Sequence, residues 1–176
     1  VKKILIIAAA SLSVIVLGLF GAYKYLVHQD EQKQAEVEKK AEAAGISEEE
    51  FMEQTQLIGG IDYEVDLDKN STDDEIISVM HKMTHQKVRA EDKWGAIPMT
   101  EDTIKQVYEV VSKRDFDDAG LKEDLLHILQ KWENNNFLSA DEDHNYFWEY
   151  QGGTVGRAYD TMSQAEEVEF IRNNFK

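Results

Sequence analysis

The stretch that decides the fold class is Ser71-Thr72-Asp73-Asp74-Glu75-Ile76-Ile77-Ser78-Val79-Met80-His81-Lys82-Met83-Thr84-His85. Its Thr-x-x-Glu opening is a capping box, in which the Thr72 hydroxyl accepts from the third amide while Glu75 reaches back. A helix running to about Val88 is predicted from it. On a helical wheel Ile76, Ile77, Met80 and Met83 gather on one side, and His81 and His85 fall at the edge of that apolar stripe.

Similar signals recur downstream. Thr100, after Pro98, starts a helix to about Lys113, and Leu121, Leu125, Ile128, Leu129 and Trp132 form one stripe with His127 opposite. Asp141 and Asp143 suit the start of a further helix, and Ser163 with Glu166 opens a last one expected to face inward through Val168, Ile171 and Phe175. No strand-helix alternation is visible. The expectation is an all-α domain of five or six short helices, with Trp94, Phe137, Phe147 and Trp148 available to its core.

Upstream, Gly59-Gly60 precedes Ile61-Asp62-Tyr63-Glu64-Val65-Asp66-Leu67-Asp68, which alternates apolar and acidic residues like a half-buried strand. No partner strand is apparent, so an extended segment lying on the helices is preferred, although a binding partner could supply the strand. Residues 28–60 are rich in Glu, Lys, Gln and Ala and read as a helical stalk without heptads, stopped at Gly45 and restarted at Ser47-Glu48-Glu49-Glu50. Ile4 to Tyr23 is twenty residues without a charge, behind Lys2 and Lys3. Such a length matches the hydrocarbon thickness of a bilayer, no good signal-peptidase site follows, and the flanking lysines place the N-terminus in the cytoplasm. The organisation expected is a transmembrane anchor over residues 1–27, a helical stalk over 28–60 and an acidic, compact, extracytoplasmic helical domain over 61–176.

Composition narrows the function. Of 176 residues, 35 are acidic and 19 basic, for a net charge of −16. That balance excludes nucleic-acid wrapping and adhesion to an anionic membrane surface. The absence of Cys excludes disulfide scaffolds, thiolate zinc sites and cysteine nucleophiles. Two acidic runs, at Asp66-Asp68-Asn70 and Asp141-Asp143-Asn145, lack the Gly and the final Glu of a calcium loop.

The sharpest chemical motif is His81-Lys82-Met83-Thr84-His85, two imidazoles one helical turn apart that can grip one Zn²⁺ or similar divalent ion. Lys82 stands where a zinc peptidase carries its general base, so that reaction is not expected. The spacing leaves a third ligand open, either His144 or a carboxylate, and boundary packing is the competing role for the pair. Further along, His144 to Tyr150 is an aromatic helix end followed by Gly152-Gly153-Thr154-Val155-Gly156. A left-handed cap at Gly152 or Gly153, a new helix from Thr154 and a close helix approach at Gly156 account for the glycines. Trp148, Tyr150 and Arg157 are candidates to line a groove for a peptide or glycan.

The His-x-x-x-His segment leading to Lys93-Trp94-Gly95, with His144-Asn145 to Trp148 and the glycine run from Gly152 to Gly156, resembles a family of uncharacterised single-pass membrane-anchored proteins of Gram-positive bacteria. The likeness covers roughly residues 71–176. It implies an anchor and an exported location and transfers no catalytic residue.

The function expected is that of a non-enzymatic, membrane-anchored envelope protein presenting an acidic helical interaction domain to a protein partner, with the ectodomain monomeric and the bilayer engaged through residues 4–23. The alternative is an extracytoplasmic protein that binds a divalent transition metal through His81 and His85. No hydrolase signature can be read from spacing. Protease added to intact spheroplasts should digest the domain beyond residue 27; a mature N-terminus near residue 23, or protection from external protease, would contradict the anchor.

Overall fold

The computed structural model describes residues 2–175, with side chains from residue 21 to residue 175. Its elements are α1 (Lys2–Ala44), α2 (Glu48–Thr55), α3 (Asp73–Thr84), β1 (Val88–Ala90), α4 (Glu101–Lys113), α5 (Ala119–Glu133), α6 (Ala140–Tyr150), β2 (Ala158–Thr161) and α7 (Gln164–Asn174). The chain is mostly helical. Among the described residues no helix is long and apolar enough to cross a membrane. The span expected at Ile4 to Tyr23 falls almost wholly on side chains outside the described ones.

Local chemistry sets the helix starts. Ser47, Thr72, Thr100 and Ser163 each accept from the amide three residues on, and Thr72 and Ser163 are answered by Glu75 and Glu166. The apolar stripes then meet in one core, where Ile76, Met80 and Met83 of α3 and Phe147 of α6 pack with Val107, Leu125 and Trp132. Trp132 Nε1 donates to Asp143 Oδ2 at 2.9 Å, and Lys131 pairs with the same carboxylate, which fixes α6 against α5.

Two expectations about secondary structure fail. The helix opened at Thr72 stops at Thr84 rather than Val88, and no helix begins at Thr154. Val88–Ala90 and Ala158–Thr161 instead pair as a small antiparallel sheet, with Val88 opposite Thr161 and Ala90 opposite Ala158. Side-chain amides close both edges of this sheet. Gln54 of α2 exchanges two 3.0 Å hydrogen bonds with the N–H and C=O of Ala90, and Asn145 of α6 exchanges two of 2.9 Å with those of Ala158. Each amide does the work of a missing strand. The segment from Ile61 to Asp68 forms one parallel bridge, Ile61 to Ala96, and rests Val65 and Leu67 on the core.

The inward face of α7 is also different from the expected one. Val168 is 59% exposed and Ile171 lies outside, whereas Phe170, Glu166, Glu169 and Asn174 are buried. Charge pairing explains the rotation. Arg89 of β1 donates to both Glu166 oxygens at 2.8 and 2.7 Å, and Lys40 of α1 reaches Glu169 at 2.7 Å. Burial pushes the Glu166 carboxyl up, but the bonds from Arg89 and Ser163 outweigh it and hold it below the usual carboxylate value.

The residues read as a stalk therefore pack on the domain. Phe51 is buried, α1 and α2 both contact α7, and Asn174 Nδ2 donates to the Gln56 carbonyl. Lys93 Nζ, beneath the Phe170 ring, donates to the carbonyls of Gln54 and Val88 at 3.0 and 3.1 Å. Gln54→Ala leaves both backbone groups of Ala90 without partners, so it should cost on the order of 2–3 kcal/mol of unfolding free energy. A chain beginning at residue 71 should be less stable still than one beginning at residue 34. Urea denaturation of these variants checks both; an unchanged stability on removal of residues 34–70 would contradict this packing.

Candidate metal centre

Three imidazoles from two helices meet beside the sheet. His81 and His85 project from the last turn of α3 with ring centroids 5.0 Å apart, and His144 of α6 approaches to 4.4 Å from the first and 5.4 Å from the second. One ligand-capable atom from each lies within 4.8 Å of the other two. His81 is half-buried, His85 is 5% exposed and His144 is fully buried. The spacing of His81 and His85 was legible in the sequence. Their meeting with His144 depends on α6 packing along α3, with α6 held from its other side by the Trp132–Asp143 bond to α5.

The nitrogens on the outer side of the cluster decide its electrostatics. His85 Nδ1 faces the Gly95 carbonyl, which only accepts, so that nitrogen carries the proton. His144 Nδ1 lies 3.3 Å from Asn145 Oδ1, and the paired bonds of Asn145 to Ala158 fix which end of its amide is oxygen. His81 Nδ1 lies 2.6 Å from Gln151 Oε1. His81 Nε2 and His144 Nε2 lie at hydrogen-bond distance, 2.9 Å, and one ligand-capable nitrogen from each of the three rings lies within 4.8 Å of the others; with a proton on each Nδ1, the Nε2 atoms would be free to ligate. In the sequence Gly95 and Asn145 stand within the family resemblance, but no motif gives Gln151, Gly95 or Asn145 a role at the site. Their roles come from tertiary contacts.

Burial disfavours protonating this cluster. Desolvation is the main cause in all three residues: it lowers His81, brings His144 down to about 3 and places His85 well below the ordinary imidazole value. The charge of His81 acts in the same direction on the other two. Lys93, the buried residue next to Trp94, is likewise lowered by desolvation, to about 7.

A pocket of about 340 Å³ lies over the cluster, lined by all three histidines with Trp94, Trp148 and Gln151 among its walls. Trp94 was expected in the core but is 74% exposed. Its ring lies so close over Gly59 that a Cβ there would stand 2.3 Å from it. Trp148 is seated in the same way on Gly153, and its Nε1 donates to the Val155 carbonyl at 2.7 Å. Gly152, at φ +66°, closes α6 in the left-handed region as expected. Gly156 brings two loops together rather than two helices: at φ +84° its Cα passes the Asp92 carbonyl where a Cβ would come within 2.4 Å.

The model of a family of unknown function, DUF6241, matches residues 80–172. The chain belongs to this family. The matched region of the DUF6241 chain contains the three histidines of the cluster, Gln151, both tryptophans of the pocket and both strands, and stops short of α1 and α2. No curated protein and no solved structure matches the chain at a significant level.

In the DUF6241 domain Trp148 and Tyr150 lie at the C-terminal end of α6, and Arg157 follows shortly before β2. Trp148 lines the histidine pocket, while neither Tyr150 nor Arg157 does. Tyr150 is exposed at the end of α6, and Arg157 stands 3.9 Å from Glu149 at the surface. Lys82 turns toward Asp62, with Nζ 2.7 Å from Oδ2.

The histidine cluster makes the metal-free protein sensitive to acid. Its folded imidazoles titrate below the unfolded value of about 6.5, so the unfolded chain binds more protons and stability falls as pH drops through that value. His85 and His144 can each contribute up to about 1.4 kcal/mol per pH unit. Denaturation of metal-free protein should give an unfolding free energy at least about 2 kcal/mol lower at pH 5 than at pH 7.5. Equal stability at the two values would mean that the imidazoles are not buried in neutral form.

Proposed function

We propose that this DUF6241 protein binds one divalent transition-metal ion, Zn²⁺ or a similar one, through Nε2 of His81, His85 and His144. The observation that carries this reading is the convergence of one ligand-capable nitrogen from each of three imidazoles, with each Nδ1 within reach of an oxygen of Gln151, Gly95 or Asn145. Histidines that ligate metals normally donate their other N–H in this way, which fixes the tautomer and makes the ligating nitrogen more basic. In the metal-free protein a neutral tautomer bridges His81 Nε2 and His144 Nε2 by a hydrogen bond, and a metal ion would replace that shared proton. A tetrahedral ion with bonds of about 2.0–2.1 Å sets its ligand atoms roughly 3.3 Å apart, which small ring rotations would reach here. Nitrogen donors without thiolates suit zinc, copper or nickel better than calcium or magnesium.

The apolar stretch from Ile4 to Tyr23 supports the further proposal that the site is displayed on the outer side of a cell membrane, at the end of α1. In this reading the protein holds an ion and is not a peptidase, since Lys82 pairs with Asp62 at the position where a base would be needed. Presentation of a surface to an envelope protein partner is the second proposal, supported by the acidic charge of the chain and by exposed Tyr150 and Arg157.

Calorimetric titration of the detergent-solubilised full chain with Zn²⁺ tests the metal reading. One ion per chain is expected, with His81→Ala or His144→Ala weakening binding by about 100-fold or more and Gln151→Leu by about 10- to 100-fold. Binding should also raise the melting temperature reversibly to chelator. No heat and no chelator effect would leave the three histidines as packing residues.

A further inference from the structure

Three histidines would fill three positions of a tetrahedral ion, and the fourth would open toward the pocket that they line. We propose that the fourth coordination position takes an organic monoanion, whose anionic head binds the metal while its flat body lies against the indoles of Trp94 and Trp148. This inference rests on the metal reading of the same three histidines.

Three features point to that ligand class. The donors are all neutral, so a divalent ion on them keeps its full charge, and an anionic fourth ligand offsets it better than water. A site with three protein ligands and an open position is the arrangement that admits an exchangeable ligand. The pocket's volume of about 340 Å³ is several times the share of liquid volume that one water takes, roughly 30 Å³. It is therefore larger than an inorganic anion or a bound hydroxide needs.

The walls define the body of the ligand. Trp94 keeps most of its indole in solvent, where a large apolar side chain gains little by folding, and Gly59 leaves the space that this placement requires. Trp148 is held over Gly153 by its bond to Val155. Flat indoles held in place in this manner favour aromatic or planar partners through stacking. The rim adds no uncompensated positive charge, since Lys82 is paired with Asp62 and the other charged lining residue is Asp92. The charge to be offset is therefore that of the ion alone, which favours one negative charge on the ligand over two.

The experiment uses the full chain loaded with Co²⁺, whose visible absorption reports its coordination, titrated with acetate, benzoate and inorganic phosphate. Loading should produce the intense bands of a tetrahedral nitrogen-rich site. Benzoate should shift them and bind about tenfold or more tighter than acetate, with phosphate weaker than benzoate. Trp94→Ala should reduce benzoate to the acetate level. Bands that form but respond to none of the anions, or equal affinity for acetate and benzoate in the unmodified protein, would overturn the ligand inference and leave the metal reading intact. Failure of the bands to form would remove both.

Discussion

Three imidazoles can turn their Nε2 atoms toward one point only if each Nδ1 proton has an acceptor of its own. Gly95, Asn145 and Gln151 supply those acceptors from a loop and from α6 and its C-cap. Much of the architecture serves their placement. The Trp132–Asp143 bond fixes α6 against α5, and the Asn145 amide is oriented because Ala158 lies in a strand beside it. That strand in turn needs β1, whose outer edge is closed by Gln54 and whose Arg89 is neutralised by buried Glu166. Removing one member of such a buried pair leaves the other charge uncompensated. The connection thus runs from the end of α1 through α2, the sheet and α6 to the histidines.

The loops over the cluster are shaped by what glycine lacks. Gly59 and Gly153 each leave room for an indole, and Gly156 lets its loop pass the Asp92 carbonyl. All three positions are set by close approach, so a side chain at any of them would move a wall of the pocket. The glycine run after α6 thus belongs to the same pocket as the histidines.

Helix starts were legible in the sequence because capping is local: Thr72, Thr100 and Ser163 can be read within four residues. The stripe on α5 was legible for the same reason. The strands were not, because three or four residues are too short to show a period and their pairing spans about seventy positions. The face of α7 was misread since apolar spacing there competes with Glu166 and Glu169, whose partners Arg89 and Lys40 lie far away in the chain. At the site, the pair at residues 81 and 85 follows from helical spacing alone. The choice of His144, the acceptors and the exposed Trp94 depend on tertiary packing that no local pattern encodes.

The most direct measurement of the central claim is anomalous diffraction at the zinc edge from crystals of the zinc-soaked protein. The account predicts a single strong peak about 2.0–2.1 Å from Nε2 of His81, His85 and His144, with each Nδ1 still bonded to its acceptor. A map without density at that point, or with zinc held only by surface carboxylates, would contradict it.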